Sequence, residues 1–302
     1  MNLQFLKYFV TLAEELHFGR AAEKLAITQP PLSLAIKNLE QELGVALFHR
    51  STKKVELTKE GYYYLGEVQK IMAQIESAHR NLHDLSQGFM GTLTIGLSPS
   101  LSFRGVLELL KAFEVAHPKI HVACHEMPLM EQMNSLKINH IDLSFCNSAF
   151  PIYEFHSKRL KNDEFCVCVY EGHPLYDSSS IHSADINANE LIAFERAIGP
   201  SNYDLILRIC GAHAIRPKFI VRTWVNAITF VSLKKGLAIV PQSMAQLRLR
   251  GIRYIPLAGE SIKASAMMLW NKHQPSASTQ LFLDFLRESP RLTQQYFEAD
   301  TL

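Results

Sequence analysis

The chain is short of net charge, of cysteine and of long apolar runs, and each shortage removes a class of function. Lysine and arginine number 31 against 29 aspartates and glutamates, a formal charge of +2 over 302 residues. That is too little to wrap nucleic acid wholesale, although a local basic patch stays open. No apolar stretch reaches the roughly 18 to 20 residues of a membrane span, so no membrane role is expected. The opening Met1-Asn2-Leu3-Gln4 lacks a basic segment followed by an apolar run, so no signal peptide is expected and the chain reads as cytoplasmic. Cys124, Cys146, Cys166, Cys168 and Cys210 are odd in number and set in apolar runs, which suits reduced core residues. Cys166 and Cys168 would share one strand face, a poor start for a tetrahedral metal site. A G-x-S-x-G elbow, a G-x-x-x-x-G-K-[ST] phosphate loop and an H-E-x-x-H pair are all missing. No catalytic residue, metal ligand or cofactor is assigned, and the chain is not expected to be an enzyme. His121 and His125, four apart, read as ordinary solvated or core residues.

What is present begins with helical periodicity. Leu3, Leu6, Phe9, Val10 and Ala13 fall on one helical face. Phe18 to Leu25 reads as a short second helix, whose Ala21, Ala22 and Leu25 let a neighbour cross closely, and Ala26-Ile27 as a turn. Thr28 is placed as the N-cap of a third helix, with Pro30-Pro31 in a first turn whose N–H groups lack intrahelical partners. Leu32, Ile36, Leu39 and Leu43 mark its buried stripe and Gly44 its end. Two helices so joined present the start of the second to a major groove. Gln29 and Ser33 suit base edges or phosphates, and Lys37 suits a phosphate. Leu47-Phe48 and Val55-Glu56-Leu57 read as strands of a wing whose loop carries Arg50, Lys53 and Lys54. The candidate DNA-binding set is Thr28, Gln29, Pro30, Pro31, Ser33, Lys37, Arg50, Lys53 and Lys54. On these features alone, any three-helix core with a charged hairpin fits as well.

The order of the motifs separates the two. Ala21-Ala22-Glu23-Lys24-Leu25, Thr28-Gln29-Pro30-Pro31-Leu32-Ser33, Leu39-Glu40-Gln41-Glu42-Leu43-Gly44, Leu47-Phe48-His49-Arg50 and Leu57-Thr58-Lys59-Glu60-Gly61 follow one another in a distinctive order. The segment resembles the LysR-type transcriptional regulators, which implies a winged helix-turn-helix acting on double-stranded DNA. Many relatives carry arginine directly after the serine of the recognition helix. Here that residue is Leu34, so the contact is not carried over.

Thr58 suits the cap of a further helix, with Glu60 beside the positive end of its dipole. Leu65, Val68, Met72, Ile75, Ala78, Leu82 and Leu85 then recur every three or four residues until Gly88, a helix on the order of 45 Å long. Its stripe must be buried, either on its own domain or against a second subunit. The resemblance implies the second: a homodimer on an inverted-repeat operator, and a homotetramer as a pair of dimers.

Beyond Gly91 the period changes. Strands are expected at Thr92–Leu97, Ile120–Cys124, Ile141–Phe145 and Phe165–Val169, with helices from about Pro99 to Ala116 and near Glu131 to Lys137. Ala188 to Phe194 leads into another strand, and Gly236 to Pro241 turns into a buried one. Asn202–Ala212 and Trp224–Lys235 read as helices, and Thr279–Arg287 as the last. The alternation implies α/β lobes with mostly parallel sheets. Ile95-Gly96, Ile141-Asp142-Leu143, His173-Pro174-Leu175 and Gly236 to Pro241 resemble the LysR-type effector domain, itself similar to periplasmic solute-binding proteins. The fold expected is a two-lobed α/β effector domain like a periplasmic binding protein, behind an all-α winged helix-turn-helix and a long linker helix. The divisions are 1–58, 59–88 and 89–302, with lobe I about 89–161 and 265–302 and lobe II about 162–264.

In such lobes ligands sit at strand carboxyl ends and helix starts. Ser98 and Ser100 lie in a loop of that kind. By similarity to muconate- and benzoate-responsive members, Ser100 falls where an effector carboxylate binds. Pro128, Leu129, Asn147, Arg196, Thr223 and Trp224 complete the effector-binding candidates. Those relatives have an arginine where Asn147 stands and an acid where Thr223 stands. Arg196 as cation and Trp224 as flat wall suggest an aromatic or unsaturated carboxylate. A solvated charge and ordinary core are the plainer accounts of those two. A two-lobed cytosolic enzyme, or a solute-binding protein with an appendage, is the rival reading. Turnover of a ligand would mark the enzyme; the absent signal peptide and the DNA-reading head count against the carrier.

Overall fold

A computed structural model of the chain describes residues 2–50, 54–86, 90–148, 151–186, 191–194, 196, 200–211, 218–259, 262–272 and 275–299. Contacts divide it into two units, residues 1–83 with 137–140 and residues 84–136 with 141–302.

In the first unit α1 (Leu3–Glu15), α2 (Phe18–Lys24) and α3 (Gln29–Leu43) close on Leu6, Phe9, Leu12, Leu32, Ile36 and Leu39, all buried. Asn2 Oδ1 accepts from Gln4 N at 2.9 Å, and His17 Nδ1 accepts from Gly19 N and Arg20 N. Both satisfy donors that a first helical turn leaves open. Thr28 holds the cap position of α3 with extended backbone, but its side chain makes no capping bond. The reason is chemical: a cap bonds the N–H two or three residues on, and Pro30 and Pro31 have none. Gly44, at φ 72°, ends the helix as expected.

The wing is an antiparallel pair, β1 (Phe48–Arg50) and β2 (Val55–Leu57), with Phe48 opposite Leu57. Glu40 on α3 holds its base, one carboxylate oxygen accepting from Leu47 N at 2.9 Å and Phe48 N at 3.1 Å. α4 (Lys59–Ser86) has 28 residues, about 42 Å of helix. Thr58 Oγ1 starts it, accepting from Gly61 N at 2.9 Å and donating to Ala46 O at 2.8 Å. A Cβ on Gly61 would lie 2.2 Å from the Leu47 carbonyl oxygen, so only glycine lets α4 pass the wing this closely. Tyr64, Leu65, Val68 and Met72 pack on the three-helix core, whereas Leu82 and Leu85 are exposed. The stripe of α4 is therefore divided, its first half on its own domain and its far end open.

In the second unit β3 (Gly91–Leu97), β4 (Ile120–Glu126), β5 (Leu143–Cys146) and β6 (Phe155–Arg159) enter one sheet, joined by α5 (Val106–Ala116) and α6 (Leu129–Lys137). The chain then crosses to a second sheet, built from β7 (Phe165–Tyr170), β8 (Ile181–His182), β11 (Ala238–Pro241) and β12 (Ile252–Ala258). Between these come a parallel pair, β9 (Ile192–Phe194) and β10 (Phe219–Val221), and the helices α7 (Pro200–Ile209) and α8 (Trp224–Ser232). β13 (Met267–Asn271) returns to the first sheet, whose order is β4-β3-β5-β13-β6. α9 (Ala277–Glu288) and α10 (Pro290–Tyr296) follow. The two passages between sheets lie side by side, Asp163 and Ala264 exchanging backbone bonds of 3.1 and 2.8 Å.

Three expectations need correction. The helix from Pro99 to Ala116 is two elements: a 3-10 turn over Pro99–Arg104, then α5 from Val106. Gly105 divides them at φ 80°, and a Cβ there would come 2.4 Å from the Tyr296 ring. The sheets are less parallel than the alternation implied. β3 runs parallel to β4 and β5, but β13 runs against β5 and β6, and β7 against β11 and β12. The antiparallel passages cause part of this, because the returning strand enters opposite in direction to the one that left. Finally α9 is not the last helix, since Pro290 opens α10.

Candidate functional site

Two places gather the residues singled out from sequence. The first is the outer face of α3. Thr28, Gln29, Pro30, Pro31 and Lys37 are exposed and Ser33 is half-buried, all outside the stripe of Leu32, Ala35, Ile36 and Leu39. Leu34 stands among them with 59% of its surface exposed. Arg50 closes β1. Lys54 is exposed and pairs with Glu56 at 2.6 Å, a carboxylate that holds the ammonium pKa above its ordinary value. Lys53 and the side chain of Arg50 lie outside the described residues. Glu40, which fixes the wing base, was missed from sequence, although it sits inside the Leu39 to Gly44 motif.

The second place is the carboxyl edge of the first sheet. Ser98 follows β3 and its N–H donates to Phe145 O at 2.9 Å. Ser98 and Ser100 are buried, and Asn147 Nδ2 donates to Ser100 Oγ at 2.9 Å. Beneath them Gln132 is 0% exposed and bonded at both ends. Its Nε2 donates to Ser98 Oγ at 3.1 Å and Met127 O at 2.9 Å, while its Oε1 accepts from Ser144 Oγ at 2.6 Å. A carbonyl only accepts, so the contact with Met127 O fixes which end of the amide is nitrogen. Ser98 Oγ is thereby an acceptor toward Gln132, and no acceptor among the described residues takes its own proton. Gly96 makes the room: a Cβ there would press on Ile141 at 2.7 Å and Gln132 at 3.2 Å. Gln132 is a positioning residue that sequence reading missed. Its one signal is a polar residue among Leu129, Met133 and Leu136 on the inner face of α6.

The other effector candidates separate. Pro128 is exposed and Leu129 half-buried where α6 begins. Thr223 Oγ1 caps α8, accepting from Asn226 N at 3.1 Å. Trp224 is 6% exposed and packs in the core of the second lobe. Arg196 is two-thirds exposed and ion-paired with Asp204 at 3.2 Å, a solvated surface charge. The structure thus joins Ser100 to Asn147 and ties Ser98 to Gln132; no ion pair reaches this group among the described residues. Burial pushes the Cys146 thiol beside it up to about 12, partly opposed by the Ser144 hydroxyl, so it is a neutral, inert group near pH 7. Among the described residues no cluster of histidine, cysteine and carboxylates is placed to hold a metal, and no helix is long and apolar enough to cross a membrane.

Comparison with known proteins covers both places. Residues 3–62 match the bacterial regulatory helix-turn-helix proteins of the lysR family, and residues 86–291 match the LysR substrate binding domain. The chain is 32% identical over 277 residues to YnfL of Escherichia coli, an uncharacterised HTH-type transcriptional regulator, covering 90% of this chain and 93% of that one. It is 29% identical over 268 residues to the HTH-type transcriptional regulator BenM of Acinetobacter baylyi, covering 85% and 86%. The crystal structure of full-length CbnR with its target DNA superimposes at a TM-score of 0.71 and 24% identity, over 96% of this chain and 100% of that one. At that identity the likeness concerns the fold.

Proposed function

Because the chain belongs to the LysR family of helix-turn-helix transcriptional regulators, we propose a division of labour in which residues 1–58 read an inverted-repeat operator, 59–88 pair two subunits and 89–302 sense a small molecule. It is a DNA-binding transcriptional regulator with an effector-binding domain. The observation that carries the assignment of roles is the start of α3, opened by prolines and left exposed above a buried leucine stripe. Thr28, Gln29, Pro30, Pro31 and Ser33 face the major groove; Lys37, Arg50, Lys53 and Lys54 take phosphates. The open Leu82 and Leu85 favour pairing through α4 into a homodimer, and two dimers into a homotetramer.

The effector lies between lobe I, about 89–161 with 265–302, and lobe II, about 162–264. Its head, the carboxylate of an aromatic or unsaturated acid, meets Ser98, Ser100 and Asn147. Pro128, Leu129, Thr223 and Trp224 shape the remainder, and Arg196 leaves Asp204 to supply the counter-charge. The chain works by binding, without turnover, in the cytoplasm where its DNA is. The effector switches it only through unequal affinity for two arrangements, about 1 to 3 kcal/mol of coupling.

Fluorescence anisotropy with the DNA upstream of the chain's own gene, at two salt concentrations and against unrelated duplex, tests this reading. Tight binding that resists the competitor and weakens in Ser33→Ala and Lys37→Ala is expected. Binding no tighter than to unrelated duplex would count against sequence reading. Full effector response in Arg196→Ala would remove that residue's role.

A further inference from the structure

We infer that Leu34 is a specificity-determining residue, reading the C5-methyl group of a thymine in each operator half-site. The inference rests on α3 being the groove-facing helix and then on where this side chain stands. The buried stripe of α3 is Leu32, Ala35, Ile36 and Leu39. At about 100° per residue, Leu34 lies about 200° round from Leu32, near the middle of the opposite face with Pro30 and Lys37. Ser33, Lys37 and Asn38 around it are polar, and Leu34 is the large aliphatic side chain that this face exposes. A single exposed leucine is common on protein surfaces and decides nothing by itself. Its position in the second turn of this helix does.

A major groove offers a side chain hydrogen-bond donors, acceptors and one apolar group, the thymine methyl. Leucine neither donates nor accepts. Against guanine, cytosine or adenine edges it would displace water from polar atoms and replace none of the bonds lost. Against thymine it covers a methyl group that water also leaves favourably, which is worth about fourfold in affinity per half-site. An arginine here would instead favour the acceptors of guanine. Leucine and arginine at this position would therefore prefer different bases.

The test uses the full-length chain and duplexes selected by it from a randomised library. Each thymine of a selected site is replaced in turn by deoxyuridine, which removes the methyl and keeps the pairing. One thymine per half-site is expected to lose about fourfold on replacement. In Leu34→Ala that sensitivity should vanish, and Leu34→Arg should move selection toward guanine at the same position. Thermal melts show whether both variants keep the fold, as an exposed site predicts. Selected sites in which no methyl matters, or an unchanged deoxyuridine effect in Leu34→Ala, would overturn the inference and leave the regulator reading standing. No enrichment of any sequence would remove both.

Discussion

The face of α3 and the floor of the first lobe keep their polar groups in opposite ways. On α3 most of the candidate groups stand in water, and none of them belongs to the buried stripe of Leu32, Ala35, Ile36 and Leu39 on which the helix rests. On the lobe floor Ser98, Ser100, Ser144 and Gln132 are buried, and each is hydrogen-bonded to another polar side chain of the site. A surface that meets a large hydrated polyanion gains by leaving its donors solvated until contact. A pocket for a small molecule must exclude water first, so its polar groups hold one another in place. Function and stability should therefore separate on α3 and be entangled on the lobe floor.

The strongest way to break this contrast is Gln132→Leu. It strips partners from Met127 O, Ser98 and Ser144 in a buried site, so a loss of about 3 kcal/mol is expected in urea unfolding. A stability unchanged by Gln132→Leu would mean the floor is not held by its polar groups.

Alkaline pH gives the next effect. Burial raises the Cys146 and Cys168 thiols to about 12 from an ordinary 9.0. The folded chain holds these protons more tightly than the unfolded one. Their contribution is thus whole below about pH 9 and declines as pH rises toward 12, by about 1 kcal/mol per thiol per pH unit. Urea melts at pH 8, 9 and 10 should show the second unit, which holds both thiols, weakening, with little change between pH 7 and 8.

Gly61→Ala probes the exception within the first unit, where stability does meet the binding surface. Its methyl would collide with the Leu47 carbonyl, and about 2 kcal/mol of destabilisation is expected in thermal melts. Lys37→Ala should have the smallest effect on stability, within about 0.5 kcal/mol. Its DNA affinity should nevertheless fall, and the salt slope should shrink by about 0.9 for each phosphate contact removed.

The same contrast explains what the sequence made legible. Most of the exposure on α3 follows from helical phase: once Leu32, Ile36 and Leu39 are taken as buried, Pro30, Leu34 and Lys37 must face out, whereas Gln29, seven residues before Ile36, is exposed at the first position of the helix. The left-handed stop at Gly44 was visible for the same local reason. The lobe floor depends on residues far apart in the chain, and Gln132 reads as a blemish in an apolar stripe until Ser98 and Ser144 are folded against it. Strand order was hidden in a similar way. β13 carries Met267-Met268-Leu269-Trp270, covered on both faces and without alternation, and β12 contains Pro256, which argues against a strand. Gly105 was in view as a glycine, but the ring of Tyr296, which lies where its Cβ would be, comes nearly two hundred residues later.

The contact of Gly61 with Leu47 also has a mechanical side. Thr58 is bonded to both Ala46 and Gly61, and Glu40 accepts from Leu47 and Phe48, so hydrogen bonds tie the foot of α4 to the base of the wing. A rod about 42 Å long, tilted by one degree about its far end, carries that foot sideways by about 0.7 Å. The close approach at Gly61 leaves little room at that joint, so a displacement of this size, comparable to the tolerance of a hydrogen bond, would be felt at the wing base.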